Sequence, residues 1–441
     1  MCSGIFWTWT RRLRRLRPGR GRSNFRERRW SGALREFEAV RIIETLRSGV
    51  SSRRLSAIFS YGREALLEAV QRDLDTVAAG KGTRAVVLRG DYGEGKTHFL
   101  NTVFNLAQKL NFAVSFVILS KETPFNRLDR VYPKVTCETY LPGEVEPGLE
   151  TLLRDIHPDS AVAEELLDFA RTGLHPKITV VLENYFQAPE SYHVHLLYRD
   201  LMGDWLPLPQ LKSLHRFNFG RPVKIEKFKP QLHVWDYFRL LSHLIRARGF
   251  AGWVILFDEF ELVGTLGIAA RSGAYCNLAR FLFPEGSGSL EAAYVIFSTF
   301  SGFWSVRLLA ERRPDTAEVP ARLLAKGEPQ KAELAKRALN ILLQDTVTLE
   351  SLPSGEVRGC LTAIRDLHAR AYGWAPDIDL DEILNATKHT RLRTKIRYAL
   401  EYLDLKYLYR EEPAVKTGTL EEISLDEVAV ATEKGSESGP A

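Results

Sequence analysis

Cysteine is scarce in this chain, with four in 441 residues. They are far apart in the sequence, and no two of them form a CxxC pair; they are Cys2, Cys137, Cys276 and Cys360. This spacing argues against a disulfide framework and against a structural zinc site built on paired cysteines. We therefore expect a protein of a reducing compartment, and we predict a cytoplasmic location.

Long apolar runs are also missing. A helix that spans a bilayer needs about 20 predominantly apolar residues, and no stretch of the sequence approaches that length. The early segment CSGIFWTW precedes its positive charges, which is the reverse of the order in a secretory signal. The sequence therefore predicts no membrane partner, and its composition of 45% apolar and 26% charged residues fits a globular protein of one to three domains.

Charge is distributed unevenly along the chain. Residues 1–30 contain ten arginines and a single acid, whereas residues 411–441 contain eight acids and two lysines. We interpret 1–36 as a basic, disordered leader, with three alternatives: a start codon that the cell does not use, non-specific phosphate binding, and an organellar transit peptide. Residues 411–441 are predicted to form an acidic, disordered tail.

The pattern of the remaining sequence indicates an α/β fold. Two amphipathic helices are predicted before residue 81, and RAVVLRG from Arg84 then indicates a buried strand. A glycine-rich loop, a helix from Lys96 and a second strand from Phe112 to Leu119 complete a βαβ unit of a parallel sheet. Further strands are predicted at GWVILFD and AAYVIF. We predict a sheet domain at 37–325 with a helical insertion at about 123–232, followed by a helical C-terminal domain at 326–410.

The loop GDYGEGKTHFL satisfies the P-loop pattern GxxxxGK[ST] through Gly90, Gly95, Lys96 and Thr97. In such a loop, successive backbone N–H groups and a helix N-terminus bind phosphates, and glycine allows the close approach. Lys96 is predicted to contact the β and γ phosphates of ATP, and Thr97 to bind Mg²⁺. The predicted cofactor-binding residues are Gly90, Asp91, Tyr92, Gly93, Glu94, Gly95, Lys96, Thr97 and His98.

A second motif supplies acids at the end of an apolar strand. VILFDEF places Asp258 and Glu259 where the strand stops, which is the end of a parallel strand at which open α/β sheets bind ligands. We predict Asp258 as a Mg²⁺ residue and Glu259 as the catalytic residue that polarises the attacking water. The alternative is an ordinary solvated strand end.

Other polar residues are candidates for supporting roles. Ser298 or Thr299, after the next strand, could contact the γ-phosphate or could simply cap the strand. Arg393 is the candidate catalytic arginine of the cluster that runs from Arg391 to Arg397; the alternative is a solvated or nucleic-acid-facing surface. Arg280 and Arg307 are candidates for an arginine finger that acts on a neighbouring subunit. His193 and His195, which are two residues apart, are interpreted as surface residues.

Five segments in this order resemble a known family: FEAVRIIETLRSGVSSRRLSAIFSYGRE, LRGDYGEGKTHFL, SFVILSKETPFNRLDRVY, GFAGWVILFDEFELV and RLRTKIRYALEYLDL. The set, over about residues 37–410, resembles a bacterial and archaeal family of P-loop ATPases that includes the ATP-binding protein BrxD of the BREX phage-exclusion systems. The resemblance implies an AAA+-like fold, ATP and Mg²⁺ as ligands, and a role in phage defence or DNA transactions. By this resemblance, Lys96 would bind phosphate, Thr97 and Asp258 would bind the metal, and Glu259 would act on the attacking water.

Two functions follow from these observations. The first is an ATPase, converting ATP and water to ADP and phosphate, that couples nucleotide binding and hydrolysis to a conformational change in a DNA-associated defence complex. The second is a nucleotide-dependent binding module that holds ATP without hydrolysis and controls oligomeric assembly. In either function the expected partners are ATP, further copies of the chain or a larger defence complex, and DNA.

Overall fold

The computed structural model describes most of the chain between residues 36 and 411. The predicted basic leader and acidic tail, at 1–36 and 411–441, lie outside the described residues except for Glu36 and Glu411. The described ranges are 36–49, 51–59, 62–80, 82–154, 156–187, 191–283, 288–375, 378, 380–388 and 390–411.

Six strands and seventeen α-helices form the described fold. The strands are β1 (Arg84–Gly90), β2 (Phe112–Ile118), β3 (Thr139–Tyr140), β4 (Gly252–Asp258), β5 (Ala293–Phe300) and β6 (Val347–Thr348). The helices are α1 (Glu36–Arg47), α2 (Arg53–Ile58), α3 (Glu64–Ala78), α4 (Lys96–Lys109), α5 (Leu128–Cys137), α6 (Glu150–Leu153), α7 (Ala161–Gly173), α8 (Pro176–Gln187), α9 (Ser191–Leu201), α10 (Leu208–Phe219), α11 (Pro230–Ala247), α12 (Ile268–Leu282), α13 (Asp315–Ala325), α14 (Pro329–Gln344), α15 (Ser354–Tyr372), α16 (Asp381–Ala386) and α17 (Leu392–Leu403).

The six strands form one sheet in the order β3-β2-β4-β5-β1-β6. The pairs β2–β4, β4–β5 and β1–β6 are parallel, and the short β3 is antiparallel to β2. Helices α5 and α11 pack on β2 and β4. The predicted α/β class, a mostly parallel sheet flanked by helices, is confirmed, as is the helical insertion, since α5 to α11 lie between β2 and β4 along the chain.

Burial explains why the central strands read as unbroken apolar runs. Every residue of β4 and β5 is buried, so neither strand needs the polar alternation of a half-exposed strand. Five phenylalanine rings pack against one another beside these strands, with centroids 5.1–6.0 Å apart; they are Phe125, Phe257, Phe260, Phe281 and Phe297. This cluster fixes the segment that follows β4.

The described chain divides into two compact units. The first contains residues 65–89 and 103–348, and the second contains 36–64, 90–102 and 349–411. In the second unit, α1, α15 and α17 pack around their own apolar core, which includes Ile43, Ile364 and Leu400. The predicted boundary after residue 325 falls inside the first unit, because α14 packs against α12 and α13 and β6 pairs with β1.

No helix of the described residues combines the length and the apolar character needed to cross a bilayer.

Candidate functional site

The P-loop adopts a conformation that requires glycine at two positions. It follows β1 after Gly90 and leads into α4 at Lys96, with φ of 79° at Gly93 and 90° at Gly95. Residues other than glycine rarely adopt positive φ angles, because their Cβ would come too close to the following carbonyl oxygen. A Cβ at Gly93 would also lie 3.3 Å from the Cβ of Arg393. Backbone geometry therefore explains the glycines at 93 and 95, and a close neighbour adds to the requirement at Gly93.

Lys96 folds back over the loop that precedes it. Its side chain is buried, and Nζ donates hydrogen bonds to the carbonyl oxygens of Gly90 (3.0 Å) and Asp91 (3.2 Å). Nζ also lies 5.0 Å from the centroid of the Tyr92 ring. Thr97, the second residue of α4, is partly exposed. The predicted phosphate-contacting lysine thus lies among the backbone atoms of the P-loop itself.

Two arginines far from the motif in sequence contact the P-loop within the second unit. The backbone N–H of Arg393, in the first turn of α17, donates to the Gly93 carbonyl at 3.2 Å. Arg63 Nη2 donates to the Glu94 carbonyl at 3.3 Å. Burial lowers the pKa of Arg63, although the carboxylates of Glu94, Glu350 and Glu64 oppose that shift. Sequence reasoning selected Arg393 and missed Arg63, for which the linear sequence carries no signal.

His98 directs its imidazole toward the N-terminal helices of the second unit. Nε2 is within hydrogen-bond distance of the Phe59 carbonyl, and Nδ1 lies 3.4 Å from Ser51 Oγ. Burial lowers the pKa of His98; the Phe59 carbonyl opposes that shift, and the positive charge of Arg63 adds to it. The contacts of its ring are thus with residues that precede the P-loop.

The acids of the second motif lie at the end of β4 in the first unit. Asp258 is 3% exposed, and its Oδ1 accepts a hydrogen bond from the Glu259 N–H at 3.0 Å. Glu259 adopts a left-handed backbone conformation, with φ 64° and ψ 36°. The next residue, Phe260, is fully buried in the phenylalanine cluster. Burial of this ring therefore holds a non-glycine residue in a conformation that costs about 1 kcal/mol or more.

The neighbouring strand places two buried hydroxyls beside these acids. Phe257 and Phe297 are register partners of the parallel β4–β5 pair, so Asp258 and Ser298 each stand one residue beyond that pair. Both Ser298 and Thr299 are fully buried, and neither hydroxyl has a hydrogen-bond partner among the described residues. Buried polar groups normally have partners, so an unsatisfied hydroxyl at this position marks a candidate ligand contact.

The remaining candidate residues have other contacts in the first unit. The Arg280 guanidinium lies 5.9 Å from the centroid of the Trp235 ring, and burial lowers its pKa. Arg307 Nε donates to the Gly264 carbonyl at 2.7 Å. His193 and His195 lie on helix α9, where His193 is partly exposed and His195 is exposed. Across the described residues, no group of three or more His, Cys, Asp or Glu side chains could hold a metal ion.

Comparison with known proteins bears on the first third of the chain. Residues 34–156 match the family model described as BREX system ATP-binding protein BrxC/D. The resemblance predicted from the sequence is thereby confirmed for this segment, which includes the P-loop. No curated protein sequence matches the chain. Among solved structures, the chain is similar to the ORC2 protein of Aeropyrum pernix in ADPNP-ADP complexes, with 12% identity, 86% of this chain and 69% of that chain covered, and a TM-score of 0.33.

Proposed function

We propose that this protein is a Mg²⁺-dependent ATPase that converts ATP and water to ADP and phosphate. The observation that carries the proposal is the P-loop: two left-handed glycines and a buried lysine between a strand and a helix. The match of residues 34–156 to an ATP-binding family supports the choice of ATP. Phosphate binding needs no other special feature, because backbone N–H groups and the helix N-terminus supply it.

The residues of the P-loop suit a nucleotide phosphate. We propose that Lys96 Nζ exchanges its bonds to the Gly90 and Asp91 carbonyls for bonds to the β and γ phosphate oxygens. The exchange replaces two neutral acceptors with charged ones, and hydrogen bonds between charged partners are the stronger kind. Backbone N–H groups from Gly90 to His98 would bind the remaining phosphate oxygens.

On the two sequence motifs alone, we propose Thr97 and Asp258 as Mg²⁺ residues. Thr97 offers a hydroxyl and Asp258 a carboxylate, and Mg²⁺ is usually held by one or two protein oxygens together with phosphates and waters. That pattern is compatible with the lack of a three-residue metal cluster among the described residues. When bound, the ion would neutralise phosphate charge during transfer.

Glu259 is the proposed general base. Its left-handed backbone follows directly on Asp258, and the buried Phe260 holds that turn in place. We propose that the carboxylate orients and polarises the attacking water, and that the Ser298 hydroxyl contacts the γ-phosphate or this water. Arg393, whose backbone already binds Gly93, is proposed to stabilise transferred phosphate charge.

The biological setting is proposed from the family match alone. BREX-type phage defence would place the ATPase in a larger assembly or a homo-oligomer on DNA, where hydrolysis drives or times a conformational change. Arg280 or Arg307 would then act on the nucleotide of a neighbouring copy.

The test is phosphate release and nucleotide affinity in the full chain and three variants. Glu259→Gln should bind ATP as the parent does but release phosphate about 10²- to 10⁴-fold more slowly, the usual contribution of a general base. Lys96→Ala should lose ATP affinity. Glu333→Gln, which removes an exposed carboxylate on α14, is the matched control and should change neither quantity.

Two outcomes would overturn the assignment. Equal hydrolysis by the parent and Glu259→Gln, with and without DNA, would remove Glu259 from catalysis. Tight ATP binding with no turnover in the parent would instead favour a nucleotide-dependent assembly module, the second function that the sequence allows.

A further inference from the structure

Positive charge is concentrated in one part of the helical insertion. Residues 212–229, which we call the basic segment, carry six cations and one acid, a net +5 in a chain whose total is +6. The segment consists of the last two turns of α10 and the irregular stretch that leads to α11. Its cations are Lys212, Arg216, Arg221, Lys224, Lys227 and Lys229.

All six cations are exposed, and none forms an ion pair with a described carboxylate. Elsewhere in the first unit, cations such as Lys177, Arg271 and Arg84 are paired with acids. Like charges close together on a surface repel one another, and the single acid of the segment, Glu226, offsets only one of the six positive charges. A bound polyanion would supply the missing counter-charge.

The irregular part of the basic segment is held in place by its apolar residues. Ile225 is buried in the core of the first unit, and Val223 and Phe228 pack against that core. The Phe228 ring lies 4.4 Å from the Nζ of the buried Lys177 and 5.8 Å from the ring of Tyr237. These anchors alternate with the exposed cations, so the charges are presented from a fixed backbone rather than from a free loop.

Two exposed aromatic rings accompany the basic segment, one within it and one on α9. Phe217, between its cations on α10, is 62% exposed, and Tyr192 on α9 is 64% exposed. The His193 ring lies between them, 5.4 Å from Phe217 and 5.9 Å from Tyr192 by centroid distance. Exposed apolar surface that is grouped together and bordered by polar residues is typical of an interaction site. Beside a row of cations, such rings suit the stacking of unpaired bases.

We propose that the basic segment, with Tyr192 and Phe217, is a binding surface for single-stranded DNA. Residues 221–229 span at most about 29 Å if fully extended, which is long enough to follow several successive phosphates. The cations would neutralise the phosphates, and the aromatic rings would stack on bases without reading their sequence. An acidic peptide would match the charge but would leave the rings unused.

This inference extends the DNA association of the proposed function to a named surface and strand form. It is independent of hydrolysis, because the basic segment contains none of the residues proposed to bind ATP. The two ideas therefore fail separately: Glu259→Gln should retain DNA binding, and loss of the basic segment's charge should leave DNA-independent phosphate release unchanged.

The experiment is a binding titration of the full chain with a labelled 30-nucleotide strand of mixed sequence, and with its duplex, at several salt concentrations. If about four to six phosphates are neutralised, the slope of log K against log salt should be about −3 to −4 for the single strand. Lys224→Gln/Lys227→Gln/Lys229→Gln should reduce the steepness of that slope by about 2. Phe217→Ala should weaken single-strand binding about 10-fold and leave duplex binding unchanged.

A matched variant separates local charge from total charge. Arg322→Gln/Lys326→Gln/Lys336→Gln removes three exposed cations from α13, its C-terminal end and α14 in the same unit, and should bind as the parent does. Equal weakening by both triple variants would overturn the proposal, as would an unchanged slope in the first. Displacement of the strand by poly-glutamate at matched charge, or equal effects of Phe217→Ala on single strand and duplex, would also overturn it.

Discussion

The backbone of Glu259 leads to a prediction that separates stability from catalysis. Glu259 is held at φ 64° and ψ 36°, a region that glycine occupies without steric cost. Glu259→Gly should therefore abolish phosphate release, because the proposed base is gone, without the loss of stability that a Glu-to-Gly change causes elsewhere. A residue kept for its chemistry despite backbone strain should behave in this way.

The magnitude follows from two opposing terms. Relief of the left-handed conformation gains about 1–2 kcal/mol, and the extra freedom of glycine in the unfolded chain costs about 0.5–1 kcal/mol. The free energy of unfolding should thus stay the same or rise by up to about 1.5 kcal/mol. The matched control is Glu333→Gly on the exposed face of α14, which should lose about 1 kcal/mol because the position is helical.

The assay is thermal and denaturant unfolding of both variants beside phosphate release. For a unit of this size, 1 kcal/mol corresponds to about 2–4 °C in melting temperature. If Glu259→Gly loses as much stability as Glu333→Gly, the strain argument is wrong. If it retains the parent's rate of phosphate release, the catalytic role is wrong, and the two readouts identify which argument failed.

Three further predictions concern the P-loop and the insertion. Gly93→Ala should destabilise the loop by about 1–2 kcal/mol and weaken ATP binding, since φ is 79° there. The control is Gly355→Ala, in a helix where a Cβ would meet no atom within 4 Å, and it should leave ATP binding unchanged. Equal weakening of ATP binding by the two variants would contradict this explanation. Burial lowers the pKa of His98 from 6.5, so the unfolded chain binds the proton more readily and stability should fall as pH drops below about 6.5; unfolding measured across pH should be less pH-dependent in His98→Gln. Lys177→Met should cost about 3–5 kcal/mol in denaturant unfolding, because it leaves the fully buried Asp200 without its cation; an unchanged free energy of unfolding would contradict the pair as a source of stability.

The sequence was most informative where structure depends on neighbouring residues. The strand before the P-loop, the helix from Lys96 and the fully buried β4 and β5 follow from apolar runs and glycine positions, and all are present in the structure. These features have local causes: a loop with left-handed angles needs glycine, and a strand covered on both faces needs an unbroken apolar run. The positions of the motif residues at both strand ends could therefore be predicted before the fold was known, and their roles remain predictions.

Features that depend on residues far apart in the sequence could not be predicted from it. Strands β3 and β6 have two residues each, and a run that short has no periodicity to detect. The contact of Arg63 with the Glu94 carbonyl spans 31 residues and uses a side chain common on any surface. The buried pair of Lys177 and Asp200 arises because α8 and α9 pack together, although the sequence presents Lys177 as one more charged residue.

The P-loop and helix α17 belong to the same compact unit, so nucleotide binding at the loop should affect α17. Residues 90–102 belong to the same compact unit as α1, α15 and α17, although β1 belongs to the other unit. Within that unit, the Gly93 carbonyl accepts a hydrogen bond from the Arg393 N–H in the first turn of α17, and Cβ of Arg391 lies 3.5 Å from the Cβ position of Gly93. A shift of Gly93 on phosphate binding must therefore move α17 or break this bond. We expect hydrogen exchange at the Arg393 amide to slow when ATP binds in the parent, and to respond less in Lys96→Ala; the same protection change in both proteins would mean that phosphate contact does not reach α17.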